Sequence, residues 1–385
     1  MISSILVILV IPMLVMNAYG LSITDLLGDV TDLEYDQKNL YFFEVDRNIQ
    51  SQTWIHDTRI VKFDGENKQY LSGELFIYPT ELAENGEYLY FVTLSDSCVG
   101  SLACDFQNLV RISKEDGTKQ ILERNLKSAA HLHIESDFLY ISESNGNIWK
   151  INLDNLPLGD GISRVSLHSS KQLIYRTNNI ILDITVLGDQ VFWIEEIDEN
   201  SHQIMSMENQ MPIVVYDKPH LPHSLDVSNG ILRWSETHVR VEGDVGDYTI
   251  IQEFDGKNVK KILEFKNTSS VARLGSSPHY KPYRLVGEYI FLVNNTQSAS
   301  SIHMVHIYNG TNITVDPNVE NTPVFLRAES DKLFLVGKTE KVFSIERYSL
   351  PVTVPEFPFS ILILVVGLLF IINGRFVKLF KHASF

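Results

Sequence analysis

The chain has 385 residues, 44% of them hydrophobic and 21% charged, with a formal net charge of −16. That balance excludes a disordered polypeptide and leaves ample chain for a large core. The acidity, with no Lys/Arg-rich run in the main body, excludes a nucleic-acid-binding surface, which needs cations against phosphate.

In chain order, residues 1–20 come first. An apolar run from Ile5 to Met16 precedes Ala18-Tyr19-Gly20, which places small residues where a signal peptidase cuts. No Lys or Arg precedes the run, but it is too short to span a bilayer, so a signal peptide is expected.

Residues 21–350 carry a repeat. Seven segments begin with an aliphatic residue, which six of them follow with Tyr or Phe: "LYFFE" from Leu40, "LYFVT" from Leu89, "LYISE" from Leu139, "VFWIE" from Val191, "LRWSE" from Leu232, "IFLVN" from Ile290 and "LFLVG" from Leu333. Each follows a short strand candidate and a polar turn, which together read as a hairpin. A third strand candidate follows. In four units comes a related phrase: "FDGENKQYL" at 63–71, "KEDGTKQIL" at 114–122, "FDGKNVKKIL" at 254–263 and "YNGTNITV" at 308–315. Asp-Gly and Asn-Gly supply the positive φ of a tight turn into a fourth strand.

The units start 41 to 58 residues apart. A four-stranded unit at that period, with little helical signal, predicts an all-β protein: a β-propeller of four-stranded blades, seven by this count. One such sheet cannot bury both faces, whereas radial packing does and leaves a channel lined by the first strands. The seventh unit offers only three strands. "LSITDLL" at 21–27 is expected to supply the missing outer one.

The aliphatic-aromatic second strands with Asp-Gly hairpins resemble the YWTD-like, low-density-lipoprotein-receptor-type propellers. No unit here holds the full Tyr-Trp-Thr-Asp sequence. That family has six blades, which makes six the alternative count. The resemblance implies extracellular recognition rather than catalysis.

Several residues stand out. Cys98 and Cys104, in "SDSCVGSLACDF", predict a small disulfide-closed loop in an extracytoplasmic chain. First-strand positions beside the central aliphatic residue are often polar: Asp32, Glu34, Glu81, His131, His133, Asp183, Ser224, Asp226, Arg284 and Arg327. His131 and His133 share a strand face; with Asp183 and His223 they form a candidate divalent-metal set at the channel mouth. "HLPH" at 220–223 and "HMVH" at 303–306 place their histidines on opposite sides of a strand, where neither pair chelates. Glu195-Glu196 reads as a solvated edge rather than an acid/base pair. Trp193 and Trp234 read as core, and Trp54 as a recognition residue. Candidate glycosylation sites are Asn267, Asn294, Asn309 and Asn312. No phosphate-binding loop, zinc-protease helix or nucleophile elbow occurs.

After a linker at 351–356, residues 357–377 are apolar over about 20 positions, enough for a membrane-spanning helix. Arg375, Lys378 and Lys381 make 378–385 a cytoplasmic tail and put the propeller outside. Pro355-Glu356-Phe357, the apolar helix and the basic cluster resemble the tripartite sorting and anchoring tails of archaeal surface proteins. That resemblance implies an archaeal cell-surface protein in the membrane.

The expected function is a surface-anchored, non-catalytic recognition or scaffolding module. A protein or glycan would bind to the loops between second and third strands. The alternative is a metal-dependent enzyme or metal-binding module at the channel mouth. Beyond that cation no cofactor is expected.

Overall fold

The structure is a computed structural model. It describes residues 21–349 with interruptions, the longest at 46–56, 96–105, 157–169, 239–247 and 267–282. The described residues form antiparallel sheets of four main strands, each written here from its first strand to its last. Sheet I comprises Val30–Tyr35, Leu40–Val45, Asp57–Phe63 and Lys68–Tyr70, with Phe76–Ile77 also paired to its third strand. Sheet II comprises Thr80–Asn85, Tyr88–Leu94, Phe106–Ser113 and Lys119–Lys127; sheet III, Ala129–Glu135, Phe138–Glu143, Asn147–Asn152 and Lys171–Arg176. Sheet IV comprises Ile180–Leu187, Gln190–Asp198, Ser201–Glu208 and Met211–Asp217; sheet V, Pro222–Ser228, Ile231–His238, Tyr248–Phe254 and Val259–Lys266. Sheet VI comprises Tyr283–Val286, Tyr289–Asn295, Ser300–His306 and Asn312–Val319. Sheet VII comprises Thr322–Glu329, Lys332–Lys338 and Phe343–Ser349, completed by Leu21–Ile23.

That last pairing is the closure the sequence predicts: Leu21 lies opposite Arg347, Ser22 opposite Glu346 and Ile23 opposite Ile345. The first strands pack in order from sheet I through sheet V, and that of sheet VII packs against those of sheets VI and I. The fold is a β-propeller with four-stranded blades.

The repeated second strand is central because both of its faces are covered. In Leu40–Val45 every residue is buried. Phe42 packs with Phe334, Val336 and Ile345 of sheet VII, whereas Tyr41 and Phe43 pack with Leu89, Phe91 and Val110 of sheet II. The two-residue side-chain period sends alternate rings to opposite neighbours. The same arrangement recurs at the next seams: Tyr90 with Leu139 and Ile141, Tyr140 with Trp193, and Phe192 with Trp234. Trp193 and Trp234 are thus core residues, as expected. Each buried ring stabilises the fold by about 1.5–3 kcal/mol relative to exposure.

The candidate signal peptide, Trp54, Cys98, Cys104, Asn267 and everything from 350 onward, including Arg375, Lys378 and Lys381, lie outside the described residues. Among the described residues no helix is long and apolar enough to cross a membrane.

Candidate functional site

The antiparallel strand order sorts the connections onto two faces. First-to-second and third-to-fourth connections leave on one, the turn face. Second-to-third connections, and the segments that lead from one sheet into the next, leave on the other, the loop face.

The turn face is built from local chemistry. Asp64 accepts hydrogen bonds from the amides of Glu66 and Asn67, and Asp255 from those of Lys257 and Asn258. Gly65 and Gly256 follow at φ of 104° and 93°, a conformation that costs glycine little. Those amide bonds hold both carboxyls below the usual range; Asp116, bonded by the Thr118 amide, falls to about 2. Ionic clips also tie neighbouring sheets here. Lys114 of sheet II pairs with Glu84 and reaches Asp36 of sheet I at 3.2 Å. At the V–VI seam Arg233 stands where the other units have Tyr or Phe. It is buried, with Nε 3.1 Å from Glu253 and Nη2 donating to the Tyr308 hydroxyl at 2.9 Å. Tyr308 donates to Glu253 at 2.7 Å, and Lys260 closes the group at 2.8 Å. Burial pushes the Glu253 carboxyl up, but bonds from Lys260 and Tyr308 and the Arg233 charge outweigh it and hold it low.

The loop face rests on buried acceptors at the ends of the second strands. Glu195 is 3% exposed and accepts from Tyr175, Thr177, Asn179 and Trp193. This corrects the expectation of a solvated Glu195-Glu196 edge: the final residue of "VFWIE" is still inside the buried part of its strand, and four donors surround its carboxylate. Glu236 accepts from the His220 amide and the Trp234 indole. Thr93 exchanges hydrogen bonds with the backbone of Ile77. Glu195, Glu236 and Thr93 therefore each pin the segment that leads into their own sheet. Above them, Leu75, Phe106, Ile180, Ile197 and Leu221 are each 39–46% exposed. Among the described residues, the other exposed large apolar ones lie on outermost strands, except Tyr308 on the turn face.

The channel position differs from both faces. Among the seven sheets, all but sheet VI show a register irregularity between first and second strands, at Val30/Leu33, Thr80/Ala83, Ala129/His131, Ile181/Asp183, His223/Asp226 and Pro323/Phe325. Such bulges re-aim side chains. Asp32 uses the opening to accept from Leu33 and, across the seam, from the Leu82 amide at 2.7 Å. Asp183 does the same with Ile184 and the Leu225 amide at 2.9 Å. His131 Nδ1 lies 3.3 Å from Glu81 and 4.0 Å from Asp183. Of the sequence-selected set, His131 and Asp183 thus meet, and Glu81 joins them. His133 follows in regular register on the same strand face. His223, the second residue of the first strand of sheet V, pairs in register with Ser235, and its side chain lies outside the described residues. Among the described residues no group of three or more His, Cys, Asp or Glu is arranged to hold a metal ion.

Of the remaining sequon residues, Asn309 caps a turn by accepting from the Thr311 amide, Asn312 lies 3.2 Å from His303 Nδ1, and Asn294 pairs in strand register with Ser301. The backbone clips made by Asp32 and Asp183 were not expected. Their sequence signal was an Asp directly before the central aliphatic residue of the first strand.

No protein-family model and no curated protein matches the sequence. Solved structures do match in fold. The β-propeller domain of the Trilobed protease from Pyrococcus furiosus, described by an open velcro topology, is similar at a TM-score of 0.56 and 10% identity, over 84% of this chain and 98% of that one. A puromycin hydrolase is similar at 0.56 and 8% identity, over 86% of this chain and 55% of the hydrolase. A polysaccharide lyase is similar at 0.52 and 9% identity, over 83% of this chain and 90% of the lyase. At these identities the likeness establishes the fold alone.

Proposed function

We propose that this chain is a cell-surface module, anchored through 357–377, whose propeller recognises or scaffolds a protein or glycan without catalysis. The observation that carries this reading is the pairing of exposed apolar side chains with rigid supports on the loop face. Leu75, Phe106, Ile180, Ile197 and Leu221 project there, while Thr93, Glu195 and Glu236 fix the segments beneath. Rigid presentation of apolar anchors lowers the ordering cost of binding. The titratable groups most suited to chemistry, Asp32, Asp183 and Glu195, spend their oxygens on backbone and side-chain donors.

The test is photo-crosslinking on intact cells with benzoylphenylalanine at Phe106 or Ile197, against the same probe at Tyr308. Discrete adducts from the loop-face positions and none from Tyr308 are expected. Equal labelling from both faces, or none from either, would overturn the reading.

A second reading is a metal-dependent site at the channel mouth, favoured by the approach of His131 to Glu81 and Asp183. His133 and His223 would complete it. Elemental analysis of the purified full chain decides: near-stoichiometric divalent metal, lost in the His131→Ala/His133→Ala variant, supports this reading, and its absence removes it.

A further inference from the structure

We infer that the outermost strand of sheet IV, Met211–Asp217, is a self-association edge, to which a second copy of this chain adds its own Met211–Asp217 antiparallel across a two-fold axis. The inference goes beyond the recognition reading, because this strand is the last of its sheet and not one of the loop-face connections that reading uses.

The outer side of a last strand is a row of amides and carbonyls that a further strand can pair with, and natural edges are guarded by charge, brevity or proline. Six of the seven last strands here carry such a guard. Those of sheets I, II, III and V hold Lys68, Lys119, Lys171 and Lys260. That of sheet VI holds Asp316-Pro317, and that of sheet VII is the three residues Leu21–Ile23. The strand "MPIVVYD" of sheet IV holds no Lys or Arg, and six uncharged residues precede its one charge, Asp217. Among the described residues no strand pairs with its outer side, and Met211, Pro212, Ile213 and Val214 are all exposed.

The strand is a fixed template. Val215 and Tyr216 pack towards sheet V, with the Tyr216 ring 5.6 Å from that of Trp234, and Asp217 accepts from Gln203 at 3.0 Å. Its exposed side chains alternate. Pro212 and Val214 stand opposite Met207 and Met205, on the side facing sheet III. Met211 and Ile213 stand opposite Glu208 and Ser206, on the side facing sheet V. They form no single patch, and strand addition needs none. An added strand continues the sheet, so each face meets the matching face of the newcomer.

Charge and register select a second copy as the newcomer. A two-fold axis at Ile213 sets Ile213 against Ile213 of the partner subunit, Pro212 against Val214 of the partner subunit, and Met211 against Val215 of the partner subunit. Members of each pair then share a face, and every pair is apolar. The two Asp217 carboxylates fall eight strand positions apart, about 25 Å, beyond the roughly 10 Å over which exposed charges repel at moderate salt. Two chains of net charge −16 repel each other, so they associate best through a stretch that brings no charge to the contact. Pro212 withholds one donor and the register skips at Val215, so the added ladder is short and the dimer dissociable. Pairing across a two-fold axis uses the edge of both copies and closes at the dimer.

The experiment is analytical ultracentrifugation of the full chain in detergent micelles over about 1–100 μM. The parent is expected to pass from monomer to dimer. Ile213→Lys and Ile213→Glu each set like charges face to face at the axis and should each raise the dimer Kd by about tenfold or more. Mixed one to one, the two variants should dimerise again, because residue 213 faces its own copy. Leu173→Lys, on the last strand of sheet III, should leave the Kd unchanged. Ile213→Lys also lowers the net negative charge, so general repulsion between acidic chains predicts a tighter dimer, and that result would overturn the inference. So would a parent that stays monomeric, association that neither 213 variant weakens, or a mixture that fails to dimerise. If thermal melting shows a 213 variant unfolded, Val214→Lys with Pro212→Glu provides the same complementary pair. Benzoylphenylalanine at position 213 on intact cells should give an adduct of dimer mass; adducts of other masses alone would mean that a different protein covers this edge. The loop-face adducts at Phe106 and Ile197 are independent of all these outcomes, so the two readings fail separately.

Discussion

The two faces of this propeller are held by different means. On the turn face, the conformation of four or five consecutive residues fixes each hairpin, as Asp64 and Gly65 do for residues 63–68. On the loop face, a buried side chain from one strand fixes a segment from elsewhere in the chain, as Glu195 fixes Thr177 and Asn179. Tight turns need only local dihedral preferences. Longer connections need tertiary acceptors for their backbone and hydroxyl donors. The second solution holds the loop segments firmly and leaves their side chains free to vary. That suits a binding surface, and the turn face suits a foundation.

The sharpest way to break this contrast is Glu195→Ala. It strands four donors beneath the loop face and should cost about 3–5 kcal/mol in urea unfolding. A loss below about 1 kcal/mol would mean the loop segments do not depend on that carboxylate. Next comes Arg233→Ala at the V–VI seam, expected to cost about 3 kcal/mol because Glu253 stays buried with less compensation. The double variant Arg233→Phe with Glu253→Leu makes this pair apolar, as Phe291 and Met304 are in sheet VI, and should recover most of it. If the double variant is worse than the single, the ionic group is not standing in for packing.

Two glycines then separate a packed turn from an open one. Gly117 is at φ 71°, and a methyl group there would overlap the backbone carbonyl of Leu71, whereas at Gly256 it would meet nothing. Gly256→Ala should cost about 1 kcal/mol, from its positive φ alone, and Gly117→Ala about 2 kcal/mol or more. Equal costs would remove the inter-sheet contact from the account.

The smallest expected effect is a pH dependence. The Glu253 carboxyl lies below its ordinary 4.5 in the folded protein. Its contribution is therefore fully present above that value and is lost as pH falls through the lowered folded one. Acid unfolding of Arg233→Ala should show a weaker dependence in that window than the parent, and an unchanged profile would count against the cause assigned here.

Much of this molecule was legible in one dimension. The second strands announced themselves because covering both faces demands apolar runs such as Leu40–Phe43. The turns did so because only certain residues tolerate their dihedrals. Closure by residues 21–23 followed from counting strands in the last unit. Glu195 misled because a Glu at the end of a strand reads as solvated unless the donors that surround it, Tyr175 from another sheet among them, are known. The role of Arg233 is equally hidden in the sequence, since Glu253 lies 20 residues away and Tyr308 75.

The sequence by itself determined the repeating unit, its strand order, its turns and the need for a closing strand. Each depends on side-chain period and local dihedral preference, which neighbours in the chain set. Only the tertiary structure decided which polar groups become clips, that Asp183 reaches Leu225, that His131 meets Glu81, and that Glu236 holds the His220 amide. Those facts depend on distances between sheets. Radial packing sets such distances, and no local pattern encodes them.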